Sequence, residues 1–231
     1  MKKRYFITGT DTDAGKTFIT VGLLAAATRA GLKSLGLKPI AAGAEIIEGQ
    51  LRNSDALQIQ AASSVNLAYE QVNPVVFAAA IAPHIASAQE QRLITVSRLA
   101  GYVKGALLSP HNLALVEGAG GWKVPLNDRE LLSDLAKSLE FPVILVVNMK
   151  LGCINHALLS ADAIIREGVC LAGWIANSTG EPMSMYAENL ATLVSLLPAP
   201  LLGEVPCQPD LSMQQAVFDR ILLEVKDLPS L

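Results

Sequence analysis

The stretch Arg4-Tyr5-Phe6-Ile7-Thr8-Gly9-Thr10-Asp11-Thr12-Asp13-Ala14-Gly15-Lys16-Thr17 decides the fold. Residues 4–8 are apolar and β-branched enough to read as a strand, and the periodicity from about residue 16 to 30 reads as a helix. Gly31 then sits where a glycine closing that helix is expected. A strand that runs through a glycine-containing loop into Gly-Lys-Thr and a helix is the context of a phosphate-binding loop. Backbone N–H groups of such a loop and of the helix N-terminus point at an anion. Gly15 lets the chain approach phosphates without a Cβ in the way. Lys16 can reach the β and γ oxygens, and the Thr17 hydroxyl can ligate Mg²⁺. The spacing departs from the usual motif: five residues, Thr10 to Ala14, separate Gly9 from Gly15, and Thr10 takes the usual glycine place. Gly15-Lys16-Thr17 could merely open a helix, but its position directly after the first strand argues against that. The loop predicts a nucleoside triphosphate, ATP, bound with Mg²⁺.

Working outward, further short apolar runs follow at residues 34–37, 113–117, 143–147, 171–176 and 201–205. Helical periodicity separates them at 131–139, 156–167 and 183–197. Strands apolar on both faces, alternating with helices, predict an α/β fold with a mostly parallel sheet covered on both sides. Residues 48–94 are the least legible and are expected to hold mostly helices and loops. No linker or internal repeat divides the chain, so one domain is expected. Right-handed crossovers put all the strand ends on one edge, where ligands sit.

The composition narrows the function classes. Of 231 residues, 51% are apolar and 17% charged, the profile of a globular enzyme rather than a disordered chain. The net charge of −3 with no basic run beyond Lys2-Lys3-Arg4 gives no footprint for nucleic acid or an anionic membrane. The apolar run after that triplet is too short for a signal peptide, and no segment is apolar enough to span a bilayer. Cys153, Cys170 and Cys207 lack metal-ligand spacing and read as reduced residues of a cytoplasmic protein.

Leu113-Ala114-Leu115-Val116-Glu117 reads as a buried strand ending in a carboxylate, with Gly118-Ala119-Gly120-Gly121-Trp122 after it. An acid at a strand end beside a phosphate loop is placed to hold Mg²⁺. Asp55 is a second candidate, although alone it reads as the first turn of a helix capped by Asn53 or Ser54. Lys38 ends the run 35–37 as many solvated lysines do. On the same edge as Lys16 it would also focus positive potential on one cleft.

Together these residues resemble the dethiobiotin synthetase family. The likeness rests on residues 9–17, Lys38-Pro39, residues 49–55, Asn73-Pro74, Pro83-His84, residues 116–122 and 151–156, Gly173-Trp174-Ile175-Ala176-Asn177 and residues 198–206. It implies one P-loop NTPase-like, ATP-dependent synthetase domain over residues 1–231, carboxylating diaminopelargonic acid with CO₂ or bicarbonate and closing its ureido ring. It implies Lys16, Lys38 and Thr12 as catalytic groups. Asp13, Ala14, Gly15, Lys16, Thr17 and Phe18 would wrap the ATP phosphates, with Gly118, Ala119 and Gly120 beside them. Thr17, Asp55 and Glu117 would hold Mg²⁺, and Asn177, Pro206, Cys207 and Gln208 would frame the adenine. Lys38, Ala42, Pro83 and Asn155 would meet the substrate, Asn155 across a homodimer interface. Ala42 stands where the family carries a serine. Related amide-forming synthetases would need a glutaminase domain, for which there is no room. Partition ATPases carry a further lysine where this chain has Asp11.

Overall fold

The computed structural model describes residues 2–180, 183–207 and 209–228. In chain order the elements are β1 (Lys3–Gly9), α1 (Lys16–Arg29), β2 (Ser34–Leu37), β3 (Ile40–Ala41), β4 (Glu45–Ile47), β5 (Gln50–Arg52) and α2 (Ser54–Ala62). There follow α3 (Tyr69–Val72), β6 (Val75–Val76), α4 (Pro83–Gln89), α5 (Val96–Ala106), β7 (Leu113–Glu117) and α6 (Leu132–Leu139). The chain continues with β8 (Val143–Asn148), α7 (Cys153–Arg166), β9 (Leu171–Asn177), α8 (Tyr186–Leu196), β10 (Leu201–Val205) and α9 (Leu211–Asp227).

Six strands form one sheet in the order β10-β9-β8-β1-β7-β2. Every neighbouring pair runs parallel. Their register aligns Ile7 with Glu117, Gly9 with Val146, and Asn148 and Val205 with Asn177, so the carboxyl ends share one edge. The middle strands are buried on both faces, which explains their unbroken apolar runs. β1 shows how: the Tyr5 hydroxyl donates to the Val225 carbonyl of α9, while the next side chain, Phe6, meets the Trp122 ring edge-on at 6.4 Å. Alternating side chains of a strand point to opposite faces, so both faces of the sheet are covered.

The six strands and four of the helices lie where the sequence predicts, to within a few residues. Gly31 has φ +74 just beyond α1, as the capping expectation requires. α7 begins at Cys153, three residues ahead of the expected start, because Gly152 at φ +93 turns the chain and lets Cys153 and Ala157 pack inward. α8 begins later than expected, after Met185 in the left-handed region. Within and just ahead of the stretch 48–94 there is more strand than anticipated: β4 and β5 form an antiparallel hairpin, and β3 pairs in parallel with β6. α5 and α9 have no counterpart among the expected elements. α9 packs on α1, where a Cβ on Gly22 would lie 2.3 Å from the Phe218 ring, so only glycine fits that crossing.

Candidate functional site

The loop after β1 is held from three sides. The Thr10 N–H donates to the Val146 carbonyl at 2.9 Å, and the Thr10 hydroxyl accepts from the Asn148 N–H at 3.3 Å. The Asn177 amide donates to the Ala14 carbonyl at 2.9 Å. Asp13 and Gly15 both adopt left-handed backbone, φ +59 and +85. A side chain at Gly15 would fail on two counts, since a Cβ would also lie 2.0 Å from Asn177 Nδ2. No side chain caps α1. Its first N–H groups therefore keep their capacity for an anion, with the positive end of the helix behind them. Lys16 is only 7% exposed, and its Nζ donates to the Asp11 carbonyl at 3.0 Å across the loop. Burial pulls the Lys16 pKa below the usual lysine range; Glu117 opposes that shift and Lys38 adds to it.

Glu117, fully buried at the end of β7, is the hub of the charged groups. Its Oε1 accepts from the Thr17 hydroxyl at 2.7 Å and from Lys38 Nζ at 2.6 Å. The same Nζ donates to Asp55 Oδ2 at 2.9 Å. Asp55 sits in the first turn of α2, capped by the Asn53 side chain, which accepts from the Ala56 N–H. Burial works to lower the Lys38 pKa, but the Glu117 and Asp55 carboxylates prevail and hold it above the usual lysine value. This corrects one expectation. Lys16 and Lys38 do not combine into a focus of positive potential, because two carboxylates offset Lys38 at contact distance.

Glu117 Oε2 is buried and has no hydrogen-bond partner among the described residues. An orphaned carboxylate oxygen is costly without a cation or donor. With the Thr17 hydroxyl and the Asp55 carboxylate nearby, it completes a set of hard oxygen donors of the kind Mg²⁺ takes.

These groups open onto a cleft of about 780 Å³. It brings together Thr12, Asp13, Gly15, Lys16 and Thr17 with Lys38, Ala42, Asp55, Pro83, Glu117, Ala119 and Gly120. Other sequence-read residues lie outside its lining. Ala14 is buried, and the Phe18 ring turns onto Phe218 at 5.6 Å, which leaves its backbone alone to serve a phosphate. Gly118 lies against the Phe6 ring. Asn177 spends its amide donor on the phosphate loop. Pro206 is exposed and Cys207 partly so at the end of β10, and Gln208 falls outside the described residues. Asn155 is exposed on α7. The sequence reading missed the far wall, where residues 80–82 and 123–125 also line the cleft. Apart from Lys123, which pairs with Glu167, these residues are apolar and carry no chemical signature of their own.

A family model described as an AAA domain matches residues 3–215. The ATP-dependent dethiobiotin synthetase of Cellvibrio japonicus is 57% identical over 205 residues, 89% of this chain and 90% of that protein. Its counterpart in Escherichia coli O157:H7 is 50% identical over 206 residues, 89% of this chain and 91% of that one. Among solved structures, the septum site-determining protein MinD of Pyrococcus horikoshii, complexed with Mg-ADP, superposes with a TM-score of 0.62. It shares 16% identity over 98% of this chain and 97% of that one. MinD of Aquifex aeolicus gives a TM-score of 0.62 at 14% identity, over 99% and 98% of the two chains. These structural likenesses establish a P-loop NTPase fold and nothing of the chemistry. The sequence relatives carry more: with half or more of the aligned residues identical across about nine-tenths of each chain, this protein belongs to the family of ATP-dependent dethiobiotin synthetases.

Proposed function

We propose that the protein uses ATP to carboxylate diaminopelargonic acid with CO₂ and close its ureido ring, giving dethiobiotin, ADP and phosphate. The observation that carries this reading is the joining of Lys38, Asp55, Glu117 and Thr17 in one hydrogen-bonded group beside the phosphate loop. An ATPase without a second substrate has no evident use for a buried lysine held charged there.

In this mechanism one substrate amine, in neutral form, captures CO₂ and loses a proton to become a carbamate. A carbamate oxygen attacks the ATP γ-phosphorus and ADP leaves, forming a carbamic–phosphoric anhydride. The second amine attacks the activated carbonyl carbon, gives up a proton to the departing phosphate, and closes the ring as the C–O bond to phosphate breaks. Lys16 and the N–H groups opening α1 bind the phosphates and stabilise charge on the transferred group. Lys38, a persistent cation, faces the carbamate oxygens, and Thr12 reaches the same space from the loop. Mg²⁺ held by Thr17, Asp55 and Glu117 would neutralise charge on the β and γ oxygens. Ala42, Pro83 and the alanines beside them line the substrate side with apolar surface. Such walls limit water near a hydrolysable anhydride. Both nucleophiles sit on one molecule, so positioning supplies much of the rate.

The adenine would lie beyond Asn177, toward residues 206–208, with Asp13 to Phe18 wrapping the phosphates and residues 118–120 approaching from the other side. The chain would act in the cytoplasm as one domain paired in a homodimer. In favour of a pair, Asn155 and the apolar Leu159 stand exposed on α7 and Leu151 just ahead of it, the two leucines 62% and 93% exposed. An asparagine there suits a substrate carboxylate reaching across from a second copy. Phosphate release with Mg-ATP and bicarbonate, with and without diaminopelargonic acid, tests the reading. Release that needs both, with dethiobiotin as product, supports it; ATP binding without diamine-dependent turnover overturns it.

A further inference from the structure

The charged group around Glu117 depends on two segments that are not neighbours in the sheet, the end of β2 carrying Lys38 and the start of α2 carrying Asp55. One buried hydroxyl joins them. Tyr69 Oη accepts from the Asn53 N–H at 2.7 Å and donates to Asn73 Oδ1 at 2.9 Å. Asn53 is the residue that caps α2, so its position fixes the turn bearing Asp55. Its side-chain amide also donates to the Ala42 carbonyl at 3.3 Å, on the substrate side of the cleft. Asn73 acts on the other segment: its Nδ2 donates to the Lys38 carbonyl at 2.6 Å. The Lys38 N–H in turn donates to the Val72 carbonyl at 2.9 Å, so the C-terminal end of α3 grips the backbone of Lys38 through both its N–H and its carbonyl. Tyr69, Asn53 and Asn73 are 6%, 5% and 2% exposed. None touches the cleft, and none is needed merely to fill space: leucine would fill the core without the cost of burying polar groups.

Resting on the reaction proposed above, we infer that Tyr69, with Asn53 and Asn73, is a positioning device that sets Lys38 and Asp55 together for the Mg-ATP and carbamate chemistry. Its hydroxyl can serve because one of its bonds ends on the residue that caps α2 and the other on the side chain that holds the Lys38 carbonyl. Removing it frees both at once and leaves the Asn53 N–H and Asn73 Oδ1 unpaired. Arg52, whose guanidinium lies 4.1 Å over the Tyr69 ring, holds the ring and not the hydroxyl. Outer-layer partners of this kind are worth about 10–100-fold in activity or metal affinity.

The test compares Tyr69→Phe, Asn73→Ser and Arg52→Gln with the full wild-type chain in two readouts. The first is steady-state turnover with bicarbonate and diaminopelargonic acid. The second is ATP affinity with and without Mg²⁺, which needs no catalysis. Tyr69→Phe and Asn73→Ser should each lower kcat about tenfold or more. The ATP affinity measured without Mg²⁺ should stay within about twofold, because other contacts hold the phosphate loop, and the gain on adding Mg²⁺ should shrink by a similar tenfold factor. Arg52→Gln should leave both readouts near wild type. A merely structural role would instead lower the melting temperature with kcat per ATP-binding site unchanged. That outcome in a folded variant of either Tyr69 or Asn73 overturns the inference, so either variant suffices if the other does not fold. Failure of the reaction assignment shows separately, as a wild-type chain without diamine-dependent turnover, and the Mg²⁺-linked affinity still decides the positioning role.

Discussion

Replacing Lys38 by methionine isolates what the buried cation does. Methionine keeps most of the apolar stem, so the packing of β2 against its neighbours is largely preserved, while the ammonium at 2.6 Å from Glu117 and 2.9 Å from Asp55 disappears. Glu117 is then a fully buried carboxylate whose remaining protein partner is the Thr17 hydroxyl. Stripping one partner from a buried ion pair costs about 3–5 kcal/mol. The lower end applies here, because the Asp55 side chain is 40% exposed and its half of the interaction is screened. At about 2–4 °C per kcal/mol for a chain of this size, a loss of about 3 kcal/mol lowers the melting temperature by about 6–12 °C. The assay is thermal unfolding by calorimetry near neutral pH, with and without millimolar Mg²⁺. Because a divalent cation at the Glu117 and Asp55 oxygens substitutes for the missing charge, Mg²⁺ should restore more stability to Lys38→Met than it adds to the wild type. The wild-type contribution follows the raised Lys38 pKa. It is fully present below the unfolded lysine value, about 10.4, and is lost as pH rises through the higher folded value. A variant that melts within about 2 °C of wild type without Mg²⁺ would refute the reasoning, since the ion pair would then carry no stability.

Two further outcomes are expected. Lys16→Ala should abolish diamine-dependent phosphate release, with kcat reduced by about 10³-fold or more, since a preorganised charge at the transferred phosphoryl is lost. Its far-ultraviolet circular dichroism should remain that of the wild type, because Lys16 Nζ is tied here to a backbone carbonyl, and near-normal activity would sink the phosphate-loop assignment. His111 gives a pH signature. Burial lowers its pKa, and Nε2 must keep a lone pair to accept from Arg4 Nε. The stability it contributes is present above the unfolded value of about 6.5 and is lost as pH falls through that value toward the lower folded one. Melting temperatures between pH 7.5 and pH 5 should therefore fall less steeply in His111→Gln than in the wild type, and parallel curves would count against it.

What could be read from the sequence divides along a physical line. The strands of the main sheet and the loop after β1 were legible because each is local: a buried parallel strand must be apolar on both faces, and a phosphate loop needs its glycine and lysine within a few residues. Glu117 was legible for the same reason, standing at the end of such a strand. α5 and α9 were missed although both are regular helices, and α9 rests on a contact with α1 that periodicity does not reveal. The hairpin of β4 and β5 was missed because its strands are short and its turn uses Glu48 and Gly49, both at positive φ, rather than a strong hairpin pair such as Asn-Gly. The pairing of Lys38 with two carboxylates lies beyond any local reading. It joins residues 17 and 79 positions apart, and sequence alone suggested the opposite electrostatics.

The likeness to MinD bears on the fold alone: chains with 16% identity or less share it, so the chemistry has to be argued from the side chains the fold brings together. The long passage between β2 and β7 supplies Lys38, Ala42, Asp55 and Pro83 to the cleft, the wall that the proposed reaction uses for its substrate. Outside its helices and the short pairs β3–β6 and β4–β5, that passage is ordered by side-chain bonds such as those of Asn53, Tyr69 and Asn73 to main-chain groups. Asp11, at the start of the loop and outside the cleft lining, pairs with Lys150 at 3.7 Å. Paired with Lys150, that acid brings no positive charge to the loop, so in the reaction proposed above phosphate affinity would come from Lys16, the helix N-terminus and Mg²⁺. A site arranged in this way suits a synthetase that positions two small substrates over ATP better than a switch that grips its nucleotide tightly.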